Sequence, residues 1–133
     1  MIILKVNRKN VHLIVSVAIV IPTAFFYGWN PEHVLPSFFD FQVKTADLKS
    51  VFRAIMGLYL SFSLLWILGI VKPFFWKVAT LSNAFFMSGI ALGRLLSLFL
   101  DGKSSDLFFY GFFGEAILGI FAFYQYQKYN QSI

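Results

Sequence analysis

The sequence predicts an all-α polytopic membrane protein, a bundle of four transmembrane helices with both termini on the cytoplasmic side. Three observations lead there. The composition is 59% hydrophobic and 13% charged, against roughly 45–50% and about 25% in soluble domains. Four apolar runs have the length that crosses a bilayer, about 20 residues each. Lys and Arg are divided unequally between the two sets of connections. At 133 residues the chain is a single domain. A soluble fold of that size, with 18 Phe, would leave much apolar surface in water, so lipid is the solvent that suits it.

The first span covers about 11–29 and contains Pro22, which removes one backbone donor. Lys5, Arg8 and Lys9 precede it in the manner of a signal peptide, but the run ends in Phe25-Phe26-Tyr27, with no small-residue cleavage site. An uncleaved first span is expected. The second span covers about 51–71, the third about 74–100 after Pro73, and the fourth about 107–126. No stretch alternates with period two, and lipid admits only helices or closed barrels, so the spans read as helices.

The connection at 30–50 is the one long loop. It holds Pro31, Pro36 and the apolar group Phe38, Phe39 and Phe41. Interfacial anchoring is the expectation for so apolar a loop, and folding over the bundle as a lid is the alternative.

Orientation follows from the flanks. Lys5, Arg8, Lys9, Lys72, Lys77 and Lys128 stand on one side with no acidic residue among them. On the other side Lys44, Lys49, Arg53 and Lys103 are mixed with Glu32, Asp40, Asp47, Asp101 and Asp106. The unopposed cations mark the cytoplasmic side. Trp76 and the Tyr124, Tyr126, Tyr129 group then fall at the inner interface and Trp29 at the outer one.

An internal echo links the second and fourth spans. Arg53-Ala54-Ile55-Met56-Gly57 resembles Glu115-Ala116-Ile117-Leu118-Gly119 without a gap, and both segments run inward from outside. Two pseudo-repeated helical hairpins would produce it. So would chance in so apolar a chain.

Charges inside a span are costly and usually face a partner or a polar cavity. Arg53 opens the second helix. Arg94 and Glu115 lie roughly 9 and 12 Å below the outer boundary at 1.5 Å per residue. The Asp101–Asp106 loop is short, so the third and fourth helices are antiparallel neighbours and Arg94 can meet Glu115. Small residues recur beside these charges: Gly57 and Ser61 on the second helix, Gly89, Gly93 and Ser97 on the third, Gly111 and Gly119 on the fourth. Such spacing lets helices approach closely in lipid.

Two readings of the charges compete. In one, Arg94–Glu115 is a structural clamp and Arg53 snorkels to lipid phosphates. In the other, Arg53, Arg94 and Glu115 line an outward-facing pocket for a small lipophilic or anionic ligand. Asp101 would then stand at its mouth, Tyr59 and Tyr110 nearby, and Asn83 deeper along the seam.

Several chemistries are excluded. Without cysteine there is no disulfide or thiolate metal site. His12 and His33 fall on opposite sides of the membrane and cannot share a metal. No hydrolase, metalloprotease, phosphate-loop or calcium-loop motif occurs, so no catalytic residue and no cofactor is expected. The net charge of +5 sits in short loops with no aromatic-interleaved basic face, which argues against nucleic acid.

With those residues in place, the chain resembles a bacterial family of small four-helix membrane proteins described as a domain of unknown function. Arg53-Ala54 with Gly57 and Tyr59, Gly93-Arg94 followed by Ser97, Asp101 and Gly102, and then Glu115 carry the resemblance, over roughly the C-terminal two-thirds of the chain. The plan is more loosely similar to the DoxX-like group, some members of which are associated with quinone-linked oxidoreductases. No catalytic motif of that group is matched. The resemblance implies a bacterial inner membrane location.

Composition and site together point first to a non-enzymatic membrane component, either an accessory subunit or a binder of a small lipophilic molecule. An oligomeric transporter or channel and a redox-linked membrane enzyme are the alternatives. Membrane lipids, a membrane protein partner or a second copy of the chain are the partners such a component would meet.

Overall fold

The computed structural model describes residues 7–132, and among them every regular element is helical. Helix α1 spans Val11–Gly28, α2 is the single turn Pro31–Val34, α3 spans Ala46–Val71, α4 spans Trp76–Asp101 and α5 spans Asp106–Tyr129. The segments Arg8–Gly28, Ala46–Val71, Pro73–Asp101 and Asp106–Tyr129 are each long and apolar enough to cross a membrane. The four-helix membrane fold is therefore present. Lys5, one of the six basic flanking residues, lies outside the described residues.

The helix boundaries follow local chemistry. The second spanning helix begins five residues before the apolar run, because Thr45 caps it: its Oγ1 accepts the Leu48 N–H at 3.1 Å. Asp47 lies in the same first turn, where a negative charge favours the helix N-terminus. At the other end of the bundle, Lys72 leaves helical geometry and Pro73 opens a 3-10 turn over Pro73–Phe75 that leads directly into α4. Helix α4 stops at Gly102, whose φ of 85° suits glycine.

The helices associate most tightly as α1 with α3 and as α4 with α5, next as α3 with α4, while α1 and α5 touch only sparingly. Three glycines mark the close approaches. A Cβ at Gly28 would collide with Met56 and lie 2.9 Å from the Phe52 carbonyl. One at Gly69 would collide with Ala79 and lie 3.3 Å from Leu13. One at Gly119 would lie 2.6 Å from Ser88 Oγ. The expectation that Gly57, Gly89 and Gly93 bring helices together is corrected: a Cβ at any of them meets nothing within 4 Å. Spacing alone identifies a face with small residues, and the register of the neighbouring helix decides whether that face is used.

The two ends of the bundle differ. At the end carrying the termini, long polar side chains tie helices together: Trp76 Nε1 donates to the Lys9 carbonyl at 3.3 Å and Gln125 Nε2 to the Arg8 carbonyl at 2.6 Å. Trp66 and Trp76 are fully buried beside Leu13 and Met87.

At the other end the long connection folds over the helices. Leu35, Phe39 and Val43 are buried against Tyr27, with Phe26, Phe52 and Phe108 packed around them. The connection takes the lid arrangement, with Leu35, Phe39 and Val43 covered by the bundle, while Phe38 stays 57% exposed. A Lys49–Glu32 ion pair at 2.7 Å fastens α2 to the start of α3.

Candidate functional site

The site grows from one ion pair. The short turn at 102–105 makes α4 and α5 antiparallel and places Arg94 opposite Glu115. Arg94 Nε donates to Glu115 Oε2 at 2.7 Å and its second terminal nitrogen donates to Oε1 at 3.0 Å. This is the two-pronged geometry that the planar guanidinium forms with a carboxylate, and it is stronger than a single contact. The side chains are 21% and 18% exposed. The guanidinium also lies 4.9 Å from the centre of the Phe108 ring, and Tyr27 lines the same hollows as Arg94.

The pair neutralises itself but does not exhaust itself. Arg94 has five N–H donors and Glu115 about four acceptor positions, of which the two bonds use two on each side. The remainder can serve a third group. A group meeting this pair encounters hydrogen-bonding capacity of both kinds and little net charge.

A cavity of about 550 Å³ lies against the pair, within the usual range for small-molecule sites. Its rim is formed by Ile19, Pro22 and Thr23 of α1 and by Gly111 and Gly114 of α5, two helices that touch only sparingly. Tyr59, Phe86 and Ile90 form its back wall, while Val20, Met87 and Leu118 close it toward the terminal end. Phe38 and Phe39 of the long connection cover the opposite end. Most of this surface is apolar; Arg94, Glu115, Thr23 and the two tyrosines are its polar side chains.

A second hollow of about 420 Å³ lies on the other side of Arg94, between α3 and α4. Tyr27, Tyr59, Ile90, Arg94 and Phe108 line both. Gly93, Ser97 and Ser104 line the second one alone. The small side chains of α4 therefore make space here and do not make helix contact.

An aromatic stack borders this hollow. Phe108 and Phe39 stack with centroids 4.1 Å apart, Phe39 and Phe41 at 5.6 Å, and Phe41 and Phe52 at 5.7 Å, all within 4° of parallel. Phe52 in turn stacks on Tyr27 at 6.2 Å. Ring upon ring thus runs from the guanidinium through the connection and back to Tyr27.

Of the residues anticipated from the sequence, Arg94, Glu115 and Tyr59 come together. Arg53 does not join them. It turns to the end of α1, donating to the carbonyls of Gly28 at 2.8 Å and Trp29 at 3.3 Å, where a cation meets the negative end of a helix. Asp101 stays at the exposed end of α4, accepting from Ser97 Oγ at 3.1 Å, and lines neither hollow. Tyr110 is 66% exposed and faces away. Asn83 is fully buried, but on the terminal side of the cavity floor. Gly111 lies on the rim, with a Cβ there 3.9 Å from Glu115 Oε1. Ser61 bonds back to the Gly57 carbonyl at 2.8 Å on an exposed face.

Tyr27, Phe108 and Phe39 are the site residues that spacing did not reveal. Tyr27 carries the one polar side-chain group in the apolar stretch from Ala24 to Gly28, which is a usable signal, since a phenol in a span usually seeks a polar partner. Phe39 and Phe108 carry no such mark among so many phenylalanines. Among the described residues no group of His, Asp and Glu could hold a metal ion.

Residues 9–126 match the model of a family described as Domain of unknown function (DUF4345). No curated protein and no solved structure matches the chain.

Proposed function

The chain belongs to this family, and within it we propose that the protein is an integral membrane binder of a lipophilic molecule carrying a small, neutral, hydrogen-bonding head. The observation that carries this reading is the apolar cavity between α1 and α5 with the Arg94–Glu115 pair set in its wall. The walls suit a hydrocarbon body, because burying apolar surface there removes it from no better environment than lipid while the head gains partners. The self-neutralised pair favours a hydroxyl or carbonyl head over a free anion, which would have to compete with Glu115 for the guanidinium. The rim between α1 and α5 is where a lipid-soluble molecule would enter from the bilayer. The basic flanks favour a cytoplasmic position for both termini and, with it, the outer leaflet for the cavity, and the resemblance to bacterial four-helix proteins favours the inner membrane of a bacterium.

A second reading has its own observation. Gly89 and Gly93 lie exposed on α4 between Phe85, Leu92 and Leu96, which are 66%, 65% and 59% exposed. A partner helix could approach this face closely, as in an accessory subunit or a homo-oligomer.

Native mass spectrometry of the protein released gently from its own membrane separates the two. A small-molecule adduct present in the wild type and lost in a folded Arg94→Ala variant supports the binder and gives the ligand's mass. A co-purifying polypeptide, or a dimer, without any adduct overturns the binder in favour of the second reading.

A further inference from the structure

The terminal half of the bundle holds a group of polar side chains that the ligand cavity does not use. His12 and Ser16 of α1, Ser63 of α3, and Thr80 and Asn83 of α4 are all 0% exposed. Helix register brings them together. His12 Nε2 and Thr80 Oγ1 are hydrogen-bonded at 2.9 Å. Helices α1 and α4 run parallel, so one turn onward Ser16 stands level with Asn83. Trp66 of α3 reaches the same level, donating to Ser82 Oγ at 3.1 Å, and Ser63 lies one turn nearer the cavity. A further turn from Ser16 and Asn83 arrives at Val20 and Met87, which form the cavity floor. His12, Ser16, Thr80 and Asn83 therefore lie directly beneath that floor, with Ser63 at its level.

These side chains have polar atoms to spare. Among the described residues, His12 Nδ1, Ser16 Oγ, Ser63 Oγ and both polar atoms of Asn83 have no hydrogen-bond partner in the protein. Serine and threonine in a helix can bond back to the preceding turn, and Thr23 and Ser61 do so, to the Ile19 and Gly57 carbonyls. Ser16 and Ser63 do not. Leaving this many buried donors and acceptors dry is strongly unfavourable, and native interiors satisfy such groups with protein or water.

We infer that this cluster is an internal water-binding site, sealed from the ligand cavity by Val20 and Met87. The chemistry selects the occupant. The Asn83 amide needs an acceptor at Nδ2 and a donor at Oδ1, and water supplies both. A metal cation cannot donate, and no carboxylate stands in the cluster to offset its charge. An anion cannot donate either. A small hydroxylic solute shares the chemistry of water, so the test must tell the two apart.

The test uses asparagine-labelled protein in lipid bilayers and solid-state NMR that transfers magnetisation from water to nitrogen. In polyol-free buffer, transfer to the Asn83 side-chain amide is expected. Its absence, or its dependence on added glycerol, overturns the inference. The near-isosteric Asn83→Leu variant gives an independent readout in thermal unfolding. A hydrated cluster loses bonded partners, and Tm should fall by roughly 3–6 °C. A dry cluster is relieved of an unsatisfied amide, so a rise in Tm overturns the inference. If the variant does not fold, the labelled wild type still decides.

Discussion

The Phe39 ring lies flat on the Phe108 ring, centroids 4.1 Å apart and planes 4° from parallel, and Phe108 in turn carries the Arg94 guanidinium 4.9 Å from its centre. A residue of the long connection is thus one ring removed from the partly buried charge pair, so the cover and the site are mechanically joined. Phe39→Ala removes this stack and the Phe41 contact together, and an aromatic pair contributes about 0.5–1.5 kcal/mol beyond its buried area. Backbone amides at 38–43 should exchange hydrogen faster, and any bound lipophile should be lost about tenfold faster on detergent exchange, as about 1.4 kcal/mol implies. Unchanged exchange at 38–43 would show that the connection is held by other contacts.

Arg94 and Glu115 can be taken apart in a way that separates a clamp from a site. Arg94→Ala strands a carboxylate in the bundle and should cost about 3–5 kcal/mol. Glu115→Gln keeps a hydrogen-bonding group and should cost about 1–3 kcal/mol. The double variant Arg94→Met/Glu115→Leu strands nothing and should recover most of the thermal stability while still failing to retain ligand. A double variant that is as stable and as ligand-loaded as the wild type would reduce the pair to a clamp.

Two glycines with the same sequence credentials should behave oppositely. Gly119→Ala drives a methyl toward Ser88 Oγ, 2.6 Å from the ideal Cβ position, and overpacking of this kind costs about 1–3 kcal/mol. Gly89→Ala meets nothing within 4 Å and should be neutral or stabilising by up to about 1 kcal/mol through helix propensity. Thermal unfolding of the two variants in one detergent checks both, and equal destabilisation would contradict the described α4–α5 register.

Arg53 is assigned to the end of α1 and not to the cavity. Arg53→Ala should lower stability by about 1–2 kcal/mol, through the lost bonds to the Gly28 and Trp29 carbonyls. Ligand retention in native mass spectrometry should be unchanged. Loss of the adduct with full stability would return Arg53 to the site.

The Glu32 carboxyl is held below the ordinary glutamate range by the Lys49 ammonium bonded to it. A depressed acid contributes stability above the ordinary range, and that contribution disappears as pH falls through the depressed value. The pair is exposed, so the effect on the whole bundle is small. Acidification should loosen α2 while the spanning helices stay intact. The carbon NMR titration midpoint of Glu32 should rise in Lys49→Ala, and identical midpoints would show that the ion pair does not form in solution.

The bundle was legible because the bilayer imposes a length and an apolar composition on each span, and because Pro73 and Gly102 punctuate the runs. Helix α3 starts five residues before the apolar run because hydropathy marks where lipid begins, while the Thr45 cap marks where the helix begins. Arg94 and Glu115 could be paired from the short turn between their helices, since that turn leaves only an antiparallel arrangement. Arg53 could not be placed, because its partners are backbone carbonyls, which carry no residue identity. Spacing could not sort the glycines either: Gly119 packs closely on Ser88 while Gly89 meets nothing, and the two differ only in what the facing helix presents. Tyr27 joins the site through a connection that doubles back, and no periodicity within α1 encodes that.

Under the proposed binding role, the sideways mouth between α1 and α5 changes what dose means for this protein. A ligand arriving through it is drawn from the bilayer, so occupancy depends on the ligand's mole fraction among lipids and not on its aqueous concentration. Diluting the cell suspension would leave occupancy unchanged, while adding inert lipid to proteoliposomes would lower it. Affinities measured in detergent would shift with micelle concentration, and a constant expressed per litre of water would describe the solvent more than the site.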